Sequence, residues 1–403
     1  MTMAPAPRQP PFRPLASLWR ALSGGTGWKG IAGQLAFASL LAWLAFDVVT
    51  NAQDNLRAQH IASGFGFLSG TAGFSVNQAL IRYSEADTYL RVFEVGLLNT
   101  LLVSIIGIVF ATLIGFAVAL GRLSQNWLLA RLSGGYVEVI RNLPLLFQLL
   151  FWYLAVLAAL PVPRQSLSIF GIAFLNNRGF VVPHIVPQQG AGVFVVAILA
   201  AIVASLIMAA YARRQLYRNG ERLRVWPFAL ALLAGFPLLG TVLFGAPVVF
   251  DVPVLRGFNF AGGTRVTPEF VALAIALSTY TAAFIAEIVR GGLLAVPKGQ
   301  MEAGASLGLP RSVILRLVII PQAMRLILPP LTNQYLNLTK NSSLAVAIGY
   351  PDLFSVFAGT TLSQTGQAVE VIAMTMAVYL AISLVTSALM NVYGWHIDRS
   401  QRV

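Results

Sequence analysis

Residues 95–120 read VGLLNTLLVSIIGIVFATLIGFAVAL, and this stretch decides the fold because it contains no charged residue. A helix needs roughly 20 apolar residues to cross a bilayer core, and this run is longer than that. The chain as a whole is also rich in apolar residues, since 57% of its 403 residues are hydrophobic and only 10% are charged. Soluble proteins carry roughly 25% charged residues. The sequence therefore predicts an all-α polytopic membrane protein.

Further apolar runs on both sides of this stretch predict about eight membrane-spanning helices in all. The predicted spans are 31–49, 95–120, 139–160, 192–211, 226–249, 269–289, 322–339 and 369–392. Two proline pairs modify them, because proline removes a helical hydrogen bond and clashes with the preceding turn. Pro161 and Pro163 end the third span, and Pro329-Pro330 are expected to break the seventh.

The basic residues predict how these spans are oriented. Most of the 27 lysines and arginines lie in segments that are cytoplasmic if the N-terminus is cytoplasmic, including the Arg-rich tract 213–224. Cytoplasmic loops of membrane proteins carry such an excess of positive charge. Both termini are therefore expected in the cytoplasm, and the net charge of +13 needs no nucleic-acid partner to explain it.

Several classes of site are excluded by residues that the sequence lacks. There is no cysteine, and the three histidines (His60, His184 and His396) are too scattered to form a metal site. No lysine follows a glycine, so the chain has no phosphate-binding P-loop. No paired carboxylates or nucleophile motif predict a catalytic site. We therefore expect no enzyme activity, no metal and no cofactor in this chain.

The cytoplasmic loop 291–321, between the sixth and seventh spans, predicts two short helices beside the membrane. The first covers about 298–307 and carries a face of small side chains. Gly308 suits its C-terminal turn, and Pro310 suits the first turn of the second helix, which ends near residue 320. Small side chains let a partner approach closely, although an interfacial turn without a partner fits the same pattern.

Just before this loop, Glu287 and Arg290 lie three residues apart and can form an ion pair on one helical face. Gly291-Gly292 follow directly and are expected to end the sixth span.

The loop resembles the EAA signature of bacterial ABC importer permeases, which reads EAA, three residues, Gly, nine residues and I-x-L-P. The chain has Glu302-Ala303-Gly304, then Gly308, then Val318-Ile319-Ile320-Pro321. Gly304 departs from the second alanine, which keeps the side chain small but loosens the helix. The resemblance implies a role in ATPase coupling for Lys298, Glu302, Ala303, Gly304, Gly308, Pro310 and Pro321.

A wider resemblance is to the polar amino-acid permease family of the histidine and glutamine type. The matching pieces are YVEVIRNLPLLFQLLFWY at 136–153, AEIVRGGLLAVPKGQMEAG at 286–304, IIPQAMRLILPPLTNQYLNLTKNSSL at 319–344 and IGYPDL at 348–353. The length and the insertion after the third span are similar to the larger permease subunit of importers for general L-amino acids or for glutamate, glutamine, aspartate and asparagine.

This resemblance implies a five-helix type I importer core with an N-terminal helix and an inserted hairpin. The implied parts are a cytoplasmic tail at 1–30, the first helix and a periplasmic loop at 31–94, two core helices at 95–160, an inserted region at 161–268 with a transmembrane hairpin (192–211 and 226–249), the remaining core helices at 269–395 with the coupling loop 291–321, and a cytoplasmic tail at 396–403. The expected location is the bacterial inner membrane.

The resemblance also implies partners. An ATP-binding cassette ATPase dimer would bind the ATP, a periplasmic amino-acid-binding protein would deliver the substrate, and a second permease subunit, in a heterodimer rather than a homodimer, would complete the pathway. A proton- or sodium-coupled secondary amino-acid transporter is the alternative. Such transporters usually place an acidic residue near the membrane midplane, whereas the acids of this chain fall at the ends of the predicted spans.

Polar residues in two spans are candidates for a substrate pathway. They are Asn142, Gln148, Asn333, Gln334, Asn337, Lys340 and Asn341. One interpretation is a polar lining that tolerates a zwitterion, with Lys340 near its carboxylate. The other is hydrogen bonding between helices, with the Lys340 side chain extending to the membrane surface.

Overall fold

The computed structural model describes residues 27–58, 63–188, 191–219, 225–244 and 248–399. Most of the predicted tails at 1–30 and 396–403, His60 and part of the basic tract 213–224 lie outside or at the edge of the described residues.

Helices form most of the described chain. The α-helices are α1 (Gly27–Ala58), α2 (Tyr89–Arg122), α3 (Trp127–Asn142), α4 (Leu145–Leu150), α5 (Ala191–Asn219), α6 (Trp226–Phe244), α7 (Pro268–Leu294), α8 (Lys298–Ser306), α9 (Arg311–Ile314), α10 (Ile320–Asn341), α11 (Leu362–Thr365) and α12 (Ala368–Arg399). Wider π-helical turns cover Phe151–Leu157, Leu315–Ile319 and Phe354–Thr361. Tighter 3-10 turns cover Phe65–Ser69, Pro163–Gln165 and Ser342–Ile348.

Each of the eight predicted spans overlaps a helical unit of the described chain, but not all of these units are long and apolar enough to cross a membrane. Five of these are long and apolar enough to cross a membrane: Tyr89–Arg122, Ala191–Ala212, Pro268–Leu294, Arg311–Ile348 and Ala368–Trp395. A sixth is the bent pair Trp127–Asn142 and Leu145–Leu157. The last two are shorter apolar stretches in α1 and α6, Ala32–Val48 and Trp226–Gly235.

The third predicted span is not one straight helix. Helix α3 begins well before the predicted start, and the chain bends by 108° before α4. The break falls at Leu143 and Pro144, where Leu143 is extended with φ −101° and ψ 130°. A residue that precedes proline avoids the helical region for steric reasons, which explains this position.

The expected break at Pro329-Pro330 is wrong, because α10 continues through both residues. Proline is tolerated inside membrane helices where neighbouring groups compensate the lost backbone hydrogen bond. Helix α10 is in contact with other helices before and after this point, since Ile327 lies against Gly292 of α7 and the Tyr335 hydroxyl hydrogen-bonds the Thr112 hydroxyl of α2.

Short antiparallel strands, which were not predicted from the sequence, form in the loops that flank the hairpin of α5 and α6. The strands are β1 (Leu167–Ile169), β2 (Ala173–Asn176), β3 (Gly179–Val182), β4 (His184–Pro187), β5 (Val248–Asp251), β6 (Val254–Arg256), β7 (Asn259–Ala261) and β8 (Thr264–Val266). They form a four-stranded sheet in the order β1-β2-β3-β8 and the two pairs β4-β5 and β6-β7. The inserted region is thus joined to the core through β-structure.

Helix α7 lies at the centre of the core and packs against α2, α3, α4 and α10. Small residues make the closest approach possible. A Cβ added at Gly115 of α2 would lie 2.7 Å from the Ile285 Cβ, and one added at Gly107 would lie 3.1 Å from Leu338. Such close backbone approach is typical of helix packing in membranes.

Candidate functional site

The C-terminal ends of α2 and α7 are joined by an ion-pair cluster. The predicted pair of Glu287 and Arg290 is confirmed, and Arg122 of α2 contacts the same carboxylate. Gly291-Gly292 do not end α7, which continues to Leu294. Instead, Gly292 is buried where a Cβ would collide with Ile327 of α10, so the glycine permits a close helix crossing.

The loop after α7 folds into the two short helices α8 and α9, as the sequence predicts. Helix α8 ends in a Schellman motif, in which the Gly308 N–H donates to the Ala305 carbonyl (2.9 Å) and the Leu309 N–H donates to the Gly304 carbonyl (3.2 Å). Gly308 has a φ of 72°, a left-handed conformation that side chains with a Cβ rarely adopt. This turn sets the angle between α8 and α9.

The departure of Gly304 from the EAA pattern has a local cause. Gly304 is buried in α8, and a Cβ at this position would lie 2.9 Å from the Ile314 Cγ1 of α9. Glycine therefore lets the two helices pack closely. The departure does not interrupt α8, which is continuous from Lys298 to Ser306, and the loosening of this helix stays a prediction.

The remaining predicted coupling residues lie around this helix pair. Lys298, Glu302 and Ala303 are exposed on α8, and the Leu307 side chain that follows is 78% exposed. Pro310 directly precedes α9, and Pro321 lies in the first turn of α10. The outer face of α8 is thus small, charged at two positions and accessible.

A side-chain hydrogen bond links α8 to the next helix. The Gln322 amide donates to the Gln300 carbonyl oxygen over 3.3 Å. Together with the packing of Gly304 on Ile314, this contact joins α8 to the base of α10.

The structure does not bring the predicted pathway residues into one cavity. Asn142 lines a cleft at the C-terminal ends of α2 and α7. Lys340 borders a separate, mainly apolar hollow between α10 and α12. The Gln148 amide donates to the carbonyls of Ile140 (2.9 Å) and Leu143 (3.0 Å), so it compensates the backbone at the break after α3.

The other pathway candidates share one side of α10. Asn333, Asn337, Lys340 and Asn341 recur at helical spacing, with Gln334 beside them, and each is exposed or half-buried. The nearby threonines bond their own helix, since the Thr332 hydroxyl donates to the Leu328 carbonyl. The polar stripe of α10 is therefore left open on the surface of this protomer.

A buried polar network, which was not predicted from the sequence, joins the N-terminal part of α2 to the segment after α10. The Asn99 amide donates to the carbonyls of Gln78 and Pro351, both over 2.8 Å. The Tyr350 hydroxyl donates to the Asn99 carbonyl over 3.1 Å. An asparagine within the apolar run 95–120 was the sequence signal for this network.

Asp352 is part of this network and is completely buried. Its carboxylate accepts from the Ser355 N–H (2.8 Å) and from the Tyr379 hydroxyl (3.3 Å). Burial raises the pKa of Asp352 to about 7, and these hydrogen bonds oppose the rise only in part. Asp352 caps the start of the helical segment that follows it.

Comparisons with known proteins match the chain to membrane transport components. Residues 107–403 match the family described as the binding-protein-dependent transport system inner membrane component. The chain is 55% identical over 374 residues to the putative amino-acid ABC transporter permease protein YhdX of Escherichia coli (strain K12), which covers 92% of this chain and 94% of that protein.

Two further relatives are also matched over nearly their whole length. The general L-amino acid transport system permease protein AapQ of Rhizobium johnstonii is 49% identical, with 91% of this chain and 94% of that protein covered. The glutamate/glutamine/aspartate/asparagine transport system permease protein BztB of Rhodobacter capsulatus is 40% identical, with 91% and 92% covered. The chain belongs to the family of binding-protein-dependent transport system inner membrane components.

Proposed function

We propose that this chain is the transmembrane permease subunit of an ATP-driven importer of L-amino acids in the bacterial inner membrane. The observation that carries the proposal is the α8–Gly308–α9 element, which presents an accessible helix on a glycine turn and is packed against the base of a membrane-spanning helix. The relatives named as amino-acid permeases support the substrate class.

The proposed assembly has four kinds of subunit. An ATPase dimer docks on α8, because a chain without a P-loop can use ATP only through a subunit that binds it. A second, different permease subunit covers the polar stripe of α10, and a periplasmic binding protein delivers the amino acid on the opposite side. Both termini and the loop 291–321 then lie in the cytoplasm.

In this assembly, the residues proposed for ATPase coupling are Lys298, Glu302, Ala303, Gly304, Gly308, Pro310 and Pro321. Glu302 is exposed on α8 and can pair with a basic residue of the ATPase. Rim charge pairs set register more than affinity. The five polar residues of α10 form the proposed pathway lining, with Lys340 at one end. Asn142 and Gln148 are not proposed as parts of this lining, because the one lines a separate cleft and the other bonds backbone carbonyls.

The test compares two glycine substitutions in the same loop. Gly308→Val places a β-branched residue at a φ of 72°, which would force the turn to rearrange and swing α8 away from its position. Gly299→Ala is the matched control, because its added Cβ meets nothing within 4 Å and alanine favours a helix. The measurements are ATPase co-purification and binding-protein-stimulated ATP hydrolysis in reconstituted vesicles.

We expect Gly308→Val to lose most of both signals and Gly299→Ala to retain them. Glu302→Arg should cause a smaller loss, because it reverses one rim charge without changing the turn. All three variants should insert normally, since α8 lies outside the membrane-spanning helices. Normal ATPase binding and stimulated hydrolysis in Gly308→Val would show that energy enters the permease elsewhere.

A further inference from the structure

Helix α3 has three chemically distinct faces. The core face carries Ser133, Tyr136, Val137 and Ile140 and packs against α2 and α7, where the Tyr136 hydroxyl donates to the Thr279 carbonyl over 2.6 Å. A second face carries the exposed apolar side chains Leu128, Leu132 and Val139. A third, polar face carries Arg131, Gly134, Glu138 and Arg141. An apolar face beside a charged face is typical of a helix that lies in the membrane interface.

The polar face of α3 borders a cleft of about 880 Å³. The opposite wall consists of the C-terminal ends of α2 and α7, including Arg122, Glu287 and Arg290. Helix α7 leads directly into α8, so the cleft lies at the same membrane face as the loop 291–321. Gly134 and Gly135 leave the α3 side of the cleft open, because an added Cβ would meet nothing within 4 Å at either residue.

The charges in this cleft are balanced unequally. Glu287 is paired with both Arg122 and Arg290. Glu138 and Arg141 are spaced suitably for a helical ion pair, but the Arg141 guanidinium lies over the Phe284 ring at 5.1 Å from its centre. Within the described part of the chain, no ion pair involves Arg131, Glu138 or Arg141. Two cations and one anion therefore remain available to a ligand.

We propose that the cleft binds the headgroup of a phospholipid that carries both a phosphodiester and a primary ammonium, as phosphatidylethanolamine does. Arg131 and Arg141 bind the phosphodiester, and Glu138 accepts hydrogen bonds from the ammonium. The acyl chains lie along the exposed apolar face of α3. Basic clefts between helices at the cytoplasmic surface are known to suit lipid headgroups.

The apolar face of α3 favours a lipid over a free zwitterionic solute. A free amino acid has the same two charged groups, but it has no use for the row of Leu128, Leu132 and Val139 beside the charged face. Glu138 favours a headgroup with an ammonium over one with an uncharged glycerol, because only the ammonium can form an ion pair with the carboxylate. The proposal is independent of which solute the permease carries.

The experiment measures lipid retention by the full chain, purified in detergent with its partner subunits. Native mass spectrometry would record the fraction of protein that binds added phosphatidylethanolamine, phosphatidylglycerol or phosphatidylcholine. We expect the ethanolamine lipid to bind best. Arg131→Gln/Arg141→Gln should lower its apparent affinity by about tenfold, since hydrogen bonds to charged groups are lost. Glu138→Gln should lower the preference for ethanolamine over choline, because a choline group has no N–H to donate.

Arg256→Gln is the matched control, because Arg256 is an exposed arginine on β6, outside the cleft, and its loss should not change lipid retention. Equal thermal unfolding of all variants would show that the fold is intact. The proposal is overturned if the double arginine variant folds normally and retains lipid as the unaltered chain does. It is also overturned if millimolar free glutamine, with no effect in the double variant, displaces the lipid from the unaltered chain, because the cleft would then serve the transported solute.

Discussion

Helices α7 and α5 are both apolar enough to cross a membrane, yet they differ in how much of each is buried inside the protein. In their most apolar stretches, 56% of the residues of α7 are buried inside the protein, whereas only 6% of those of α5 are. The buried residues of α7 include many small ones: Ala272, Ala276, Ser278, Thr281, Ala282, Ala283, Ala286 and Gly292. The exposed residues of α5 are large and aliphatic: Val195, Val196, Leu199, Val203, Leu206 and Ile207.

This difference separates the signal for crossing a membrane from the signal for packing inside a protein. Lipid chains are as apolar as leucine, so the hydrophobic effect does not drive two helices together within the bilayer. Close packing between small residues does so instead. Helix α7 contacts α2 and α10 through its small residues. Helix α5 contacts α6, and its large aliphatic side chains suit contact with lipid.

The largest test of this comparison is a pair of glycine substitutions, one at each kind of surface. Gly115→Leu would place a Cβ 2.7 Å from the Ile285 Cβ at the crossing of α2 and α7, and neither backbone can yield easily. Overpacking of this kind costs about 1–3 kcal/mol or more. Gly235→Leu on α6 should be nearly neutral, because an added Cβ there meets nothing within 4 Å. Thermal unfolding of the purified chain and its abundance in membranes would measure both effects.

We expect a clear fall in unfolding temperature and abundance for Gly115→Leu alone. If both variants are equally stable, the α2–α7 crossing is looser than its glycine implies. If both are equally damaged, the hairpin of α5 and α6 packs against protein and not against lipid.

The second test concerns the buried polar network around Asn99 and Asp352. Asp352 lies between the membrane-spanning segments, and burial raises its pKa to about 7 from an ordinary value of 3.8. The folded protein therefore holds a proton that the unfolded chain releases at lower pH. The contribution of this proton to the free energy of unfolding is fully present below the pKa of Asp352 in the unfolded chain. It is lost as the pH rises towards 7, by at most about 1.4 kcal/mol per pH unit.

Asp352→Asn should remove this pH dependence. The amide can still accept from the Ser355 N–H and donate to the Tyr379 hydroxyl, and it carries no charge to bury. Unfolding temperatures measured between pH 5 and pH 8 should fall for the unaltered chain and stay level for the variant. A parallel fall in both proteins would show that another group titrates and that Asp352 is ionised throughout.

The same contrast explains what the sequence predicts and what it does not. The spans, the α8–α9 pair, the turn at Gly308 and the pair of Glu287 with Arg290 all follow from local patterns. The network around Asn99 and Asp352 does not, because it joins residues that lie far apart in the chain. The expected break at Pro329-Pro330 is wrong for a similar reason. Helix α10 packs against α7 and α12, and such contacts compensate the backbone hydrogen bonds that proline removes.

The strands in the inserted region could not be predicted from the sequence because they have only three or four residues each, and some of them are fully exposed. Strands β1 and β6 have three residues each, all of them exposed, so they show no alternation of buried and exposed positions. Their pairing depends on partners elsewhere in the loops. Strand β3, for example, pairs with β8, which follows it only after the whole α5–α6 hairpin.

The smallest effect should come from removing that hairpin altogether. Strands β4 and β5 pair antiparallel, and Pro187 lies opposite Val248 at the end of their ladder, where the chain departs into α5 and returns from α6. Replacing residues 188–247 with Asn-Gly would close this ladder by a two-residue turn.

In the described residues, α5 and α6 pack chiefly against each other, so the core should lose few contacts. We expect thermal unfolding and ATPase co-purification close to those of the unaltered chain. A control deletion that also removes β4 and β5 should be less stable, because it removes the hydrogen bonds of His184 with Thr264 and of Asp251 with the Gly263 N–H. Failure of the shorter deletion to fold, with a normal Gly235→Leu variant, would show that the hairpin supports the core through contacts beyond those of its own two helices.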